Sequence, residues 1–203
     1  MTKRETILLT AEKLFAKHGY VATSIDDIAK PCGVTKAAIY YHFKDKHDLY
    51  EYILEKNIKI LADKIEENIS KEESLERKLY EYIVTFANEL EKNRSVGSML
   101  MREMSNGGEE MPLKALAQML RTFKMLTSII DTGIERKIFQ YMEPVLIQMM
   151  VVGSLSFLIN TQNVRHKIKQ ELDPKAKTVV DFTISQAAQK IADMVLNSLK
   201  YGG

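Results

Sequence analysis

Apolar residues recur at helical spacing along the whole chain. Between residues 3 and 18, Ile7, Ala11, Leu14 and Phe15 fall on one face, and Gly19 is placed to end the helix. A second, shorter repeat carries Ile25, Ile28, Ala29 and Cys32 behind Ser24, with Asp27 where its carboxylate can reach back to the helix start. Gly33 supplies the permissive backbone of a tight turn, Val34 fills the corner, and Thr35 can cap a third helix that carries Ala38, Ile39 and Phe43 inward. Asp45 can cap a long helix to about residue 69, with Leu49, Ile53 and Ile60 inward. Further helical repeats follow at 75–93 and 96–104, the latter stopped by Asn106, Gly107 and Gly108. Pro112 can start another helix running to about residue 136 or 137, Pro144 an apolar helix ending near residue 162, and a last repeat covers about 178–199. Strand-like alternation is missing, so the expected fold is all-α: an N-terminal three-helix domain over 1–47 and a C-terminal helical domain over 48–203.

Two helices joined by a turn of about four residues make a helix-turn-helix. In such a unit the second helix enters the major groove, its first residues at base edges and its flanks on the backbone. Those first residues are Thr35, Lys36, Ala37 and Ala38, and Lys36 is the only long polar reader before Tyr40. Farther along, Tyr40, His42, Lys44 and Lys46 offer a hydroxyl, an imidazole and two ammonium groups suited to phosphate oxygens. Ser24 and Tyr41 complete the candidate DNA-contact set. The plainer reading keeps Tyr40, Tyr41 and Phe43 as core aromatics and the lysines as solvated ends of a helix. The clustering of these groups just beyond a capped helix favours DNA.

The string TSIDDIAKPCGVTKAAIYYHFKDKHDLY resembles the DNA-binding signature of TetR-family (TetR/AcrR-type) transcriptional regulators, and the likeness extends back through Ile7, Ala11, Leu14, Phe15, Gly19 and Tyr20. Pro31 departs from that pattern and is expected to shorten or bend its helix end, because proline cannot donate the backbone hydrogen bond. IERKIFQYMEP also looks like the family's connection before its penultimate helix, with Lys137 where glycine is common. The resemblance implies a C-terminal domain that binds a small molecule and a dimer made through the last two helices, here 145–159 and 179–199. Gly153, Ser154 and Ser156 would allow close helix approach. From periodicity alone, a core helix and an interface helix look the same.

Charge adds a modest asymmetry. The net charge is +2; residues 1–48 hold eight Lys/Arg against six Asp/Glu, and the remainder holds 21 of each. The surplus therefore lies in the candidate DNA-binding segment, where Asp26 and Asp27 must face away from phosphate. A single cysteine excludes an intramolecular disulfide and fits a reducing compartment, so cytoplasm is the expectation. No apolar core of signal-peptide length stands at the N-terminus, and the longest apolar run, 145–159, falls short of the roughly 20 residues of a membrane span. No membrane association is expected.

Nine of the eleven methionines fall between Met99 and Met150, and an adaptable thioether side chain suits a cavity that accepts awkward apolar shapes. Met99, Arg102, Glu103, Met119, Phe123, Met149 and Phe157 are the candidate ligand-binding residues, against the alternative of a methionine-packed core. His42 and His47 are five apart and do not share a helical face, and Cys32 lies on an apolar one, so neither a metal site nor a catalytic set is expected. Phosphate-loop and dinucleotide glycine patterns are missing as well, so no cofactor and no enzyme activity are expected. The reading is a homodimeric regulator of double-stranded DNA with a pseudo-palindromic operator, a repressor released by a small apolar or amphipathic effector. The rival is a DNA-binding architectural or protein-partner module that takes no effector.

Overall fold

The computed structural model describes residues 2–172 and 183–200. Among them are α-helices α1 (Lys3–His18), α2 (Ile25–Cys32), α3 (Lys36–Tyr40), α4 (Lys46–Ser70), α5 (Leu75–Lys92), α6 (Arg94–Ser105), α7 (Leu113–Glu135), α8 (Pro144–Asn160), α9 (Gln162–Lys167) and α10 (Ile184–Leu199), and no strand. A wider π turn, Ile168–Leu172, continues α9. The all-α expectation therefore holds, and the helix starts follow the capping residues. Thr2 and Glu5 form a capping box on α1, and Thr183 and Gln186 form another on α10. Asp45 Oδ1 accepts the Asp48 amide at 2.8 Å at the head of α4, and Ser74 Oγ accepts the Arg77 amide at 3.1 Å at the head of α5. Pro31 does not shorten α2, which runs on to Cys32. The part of the expected last helix before residue 183 lies outside the described residues.

The helices gather into two compact units. The first takes the chain up to Ile60 together with Asn93–Met119; the second takes Leu61–Lys92 together with the chain from Leu120 onward. In the first, Ile7, Phe15, Ile28, Ile39, Leu49, Leu54 and Met99 form the core, and α1 packs on both α2 and α6. Phe15, Tyr20 and Tyr50 add a ring cluster, with centroids 5.0 Å apart for Phe15–Tyr50 and 4.8 Å for Tyr20–Tyr50.

In the second unit, α10 lies against α5 and α8, its small Ala188 and Ala192 fully buried beside Leu79, Ile83, Val151 and Leu155. Gly133 is required there, since a Cβ on it would stand 2.0 Å from the Phe139 ring. The end of α7 is closed by the Ile138 amide on the Gly133 carbonyl at 2.8 Å and the Lys137 amide on the Ile134 carbonyl at 3.0 Å. That closure needs a left-handed residue, and Lys137 supplies it at φ 57°. The position where the family commonly has glycine is thus one where glycine is physically preferred. No single helix among the described residues is long and apolar enough to cross a membrane.

Candidate nucleic-acid interface

The reading head is built by local hydrogen bonds at both of its helix starts. Ser24 Oγ accepts the Asp27 amide at 3.2 Å while the Asp27 carboxylate accepts the Ser24 amide at 2.9 Å. The hydrogen bonds from Ser24, side chain first and backbone second, hold the Asp27 carboxyl below its usual range. Gly33, at φ 63° and ψ 31°, closes α2 and returns its amide to the Ala29 and Lys30 carbonyls. Thr35 Oγ1 then accepts the Ala38 amide at 3.2 Å and starts α3. Ile39 is fully buried and anchors α3 to the core.

Ile39 is the one buried residue of α3, and most of this short helix is left to solvent. Thr35, Lys36, Ala37 and Tyr40 are exposed, Tyr41 is 85% exposed, and Lys44 is exposed beyond it, while Ala38 and His42 are half-buried. Ser24 is exposed at the head of α2. The ten residues expected at DNA are therefore brought into one short region, and two tyrosines stand in water with little core contact to explain them. Tyr41 and His42 meet edge-on at 5.1 Å.

Two cations of this region carry internal contacts that sequence reading missed. Lys36 Nζ lies 2.6 Å from Asp26 Oδ2, so Asp26, expected to face away from phosphate, instead stands beside the candidate base reader, and this carboxylate raises the lysine above its ordinary range. Lys46 Nζ donates to the Tyr20 carbonyl at 2.9 Å and sits 4.2 Å from the centroid of that ring. Lys46 thus ties α4 to the turn after α1, in addition to any contact with phosphate. Arg4 is likewise engaged, 4.3 Å from the Tyr52 centroid and donating to its hydroxyl at 3.2 Å. These partners are set by how the helices pack, and no local spacing in the sequence signals them.

The pattern described as "Bacterial regulatory proteins, tetR family" matches residues 7–53, and that described as "YsiA-like protein, C-terminal region" matches residues 54–186. The chain belongs to the TetR family. Among curated relatives it is 33% identical over 89 residues to the biofilm operon icaADBC HTH-type negative transcriptional regulator IcaR of Staphylococcus aureus, an overlap covering 44% of this chain and 48% of IcaR. It spans only 16–24% of the length of three other HTH-type regulators that it matches. Among solved structures it is similar to the TetR family regulator PfmR from Thermus thermophilus, at 25% identity and a TM-score of 0.74 over all of both chains. FadR from Bacillus subtilis, solved in complex with stearoyl-CoA, shares the fold at 18% identity and a TM-score of 0.72, covering 97% of this chain and 99% of FadR.

The candidate ligand residues of this TetR-family chain are not brought together within either unit. Met99, Arg102, Glu103 and Met119 belong to the first unit, and Phe123, Met149 and Phe157 to the second. Met99 is fully buried in the first core, and Met119 packs half-buried against it. Arg102 is committed to the end of α1, its Nη2 donating to the Lys17 carbonyl at 2.8 Å and its Nε to the Ala16 carbonyl at 3.3 Å. Glu103 is buried, and its Oε1 accepts the Tyr50 hydroxyl at 2.7 Å while its Oε2 has no hydrogen-bond partner among the described residues. Burial, then the hydrogen bond to Glu103, pushes the Tyr50 phenol well above its ordinary range. Phe123 is half-buried on α7.

Met149 and Phe157 are 64% and 66% exposed, on the outward side of α8. The inward side is held by Ile147, Val151, Leu155 and Ile159, four residues apart each time. Val145, Leu146, Met149, Met150 and Phe157 are the large apolar residues left exposed on α8, with Gly153, Ser154 and Asn160 exposed among them, and Met194 is exposed on α10.

Proposed function

We propose that this chain is a transcriptional repressor that binds a pseudo-palindromic DNA operator as a homodimer and leaves it when a small apolar or amphipathic ligand binds. In this reading residues 1–47 read DNA and residues 48–203 provide ligand binding and dimerisation. The observation that carries it is the exposed face of α3, where Thr35, Lys36, Ala37 and Tyr40 stand in water while Ile39 alone fixes the helix to the core. Thr35 and the alanine methyl groups suit a thymine methyl, and Lys36 suits the guanine O6/N7 edge. Tyr40, Tyr41, His42, Lys44 and Ser24 suit phosphate and position the helix without selecting bases. Family membership supports the regulatory role, and the name of IcaR, a negative regulator, supports repression.

The exposed stripe of α8, with Met194 of α10, is the face we assign to the second copy. Leu146, Met149, Met150, Gly153 and Phe157 recur three and four residues apart, so they share one side of α8, and Gly153 among them allows close approach. A two-fold partner would lay the same strip against it. Met149 and Phe157 thereby move from the ligand list to the dimer face. Met99 and Met119 remain candidates for the ligand, with Glu103, whose second oxygen has no partner among the described residues; Phe123, in the second unit, is a separate candidate. The stearoyl-CoA of FadR illustrates an amphipathic ligand held on this fold. The site of action is the cytoplasm, where the operator is.

The test is selection of bound genomic fragments with the purified protein. Recovery of one inverted-repeat sequence, bound by a species of twice the chain mass in sedimentation, is the expected result. Uniform recovery of unrelated fragments would overturn the reading. With the operator known, ligands that raise the melting temperature should also weaken operator binding, because a ligand stabilises the state it prefers.

A further inference from the structure

Asp26 and Asp27 are adjacent carboxylates at the head of α2, yet they are used differently. Asp27 is consumed in the cap with Ser24. Asp26 instead reaches across to α3 and meets Lys36, the one long polar side chain among the proposed base readers, at 2.6 Å. Both side chains stay in water, Lys36 54% and Asp26 65% exposed, so the pair contributes little to holding the fold together. A carboxylate on a surface that must approach phosphate opposes binding to every sequence alike. Its presence there calls for a role in discrimination.

The geometry points to Asp26 as a specificity-determining residue: it orients the Lys36 ammonium toward base edges and neutralises it against the phosphate backbone. This inference rests on the DNA-binding reading above. A lysine ammonium has three N–H donors and no acceptor. With one donor committed to Asp26 Oδ2, two remain, the number a guanine edge accepts through O6 and N7. The paired ammonium carries little net charge, so it gains little from a phosphate and releases few counterions there. The other carboxylate oxygen can accept from a cytosine N4 amino group, which adds to preference for a G·C pair at that place. Unpaired, the same lysine would be a mobile point charge that attaches to any nearby phosphate.

The experiment compares the full-length wild type with D26N, K36M and the double variant D26N/K36M, each on the selected operator, its single-base variants and a random duplex of equal length, over a range of salt. Asparagine keeps the size of the side chain and removes its charge. D26N is expected to bind the random duplex more tightly and to lose preference at the base pair that Lys36 reads. Its random-duplex salt dependence should steepen by about 0.9 in log–log slope per head, the value for one added phosphate contact. In the K36M background the same Asp26→Asn change should leave the base preference unaltered, with any tightening equal on operator and random duplex, since only a general repulsion is then removed. D26E should keep the preference in part, because the carboxylate is retained. Equal tightening of D26N on operator and random duplex, or a change in base preference of the same size with and without Lys36, would overturn the proposal by separating Asp26 from the reading of bases by Lys36. The wild-type arm separates this from the underlying reading: a wild type that fails to distinguish operator from random duplex overturns both.

Discussion

The exposed side of α3 and the exposed side of α8 make an instructive pair. Both are what remains after a helix has buried its anchor residues, a single isoleucine for α3 and a row of four aliphatic residues for α8. On α3 the remainder is polar or small, with Lys36 and Tyr40, and suits a wet, charged surface such as DNA. On α8 it is apolar, with Leu146, Met149 and Phe157, and suits another protein surface. The difference teaches that exposure alone assigns no role; the chemistry left outside does.

The comparison can be broken first at Phe157. Phe157→Glu puts a charge in the centre of the proposed dimer face, where an unpaired buried charge costs several kcal/mol, about 3–5. Dimer dissociation should rise by more than about 100-fold, seen as monomer in sedimentation at micromolar concentration, with the far-ultraviolet helical signal retained. An unchanged dimer would remove α8 from the interface.

On α3 the matching change is Lys36→Ala. Operator affinity should fall on the order of 10- to 100-fold per half-site, with relaxed preference at one base pair, in competition binding at fixed salt. A uniform loss over all single-base variants would make Lys36 a phosphate contact and move base reading elsewhere.

A third change sets a buried polar pair against the exposed one. Tyr50→Phe leaves the buried Glu103 carboxylate without its hydroxyl donor, at a cost of about 1–3 kcal/mol that thermal unfolding should report. Asp26→Asn, by contrast, should hardly move the melting temperature, since both members of its pair stand in water. Equal effects on stability would mean that burial does not separate the two pairs.

The smallest expected effect is at Lys137. Lys137→Gly relieves a left-handed backbone at the end of α7 and should raise stability by about 0.5–1 kcal/mol in urea unfolding, with operator binding unchanged. Loss of stability would show that the lysine side chain contributes more than its backbone strain removes.

What the sequence by itself determined was local. Periodicity and capping residues placed the helices, since Ser24, Thr35 and Asp45 bond amides only three residues away. The same locality made part of the head legible: with Ile39 inward, helical geometry puts Ala37 on the opposite side and Tyr40 off the buried one, whereas Lys36, three residues before Ile39, is exposed because it begins the helix. Glycine's usual place at Lys137 also carried a backbone meaning that the positive φ bears out.

Only the tertiary structure decided which side of α8 is buried. That helix is apolar nearly all round, so its period offers two candidate inner faces, and packing beside α5 and α10 selects the one with Ile147, Val151 and Leu155. It also decided the partners of charged side chains. Lys36 finds Asp26 ten residues back, Lys46 finds Tyr20, and Glu103 finds Tyr50 across 53 positions. No repeat encodes such pairs, because each depends on where two separately formed helices come to rest, and side-chain chemistry then takes whichever donor or acceptor lies within about 3 Å.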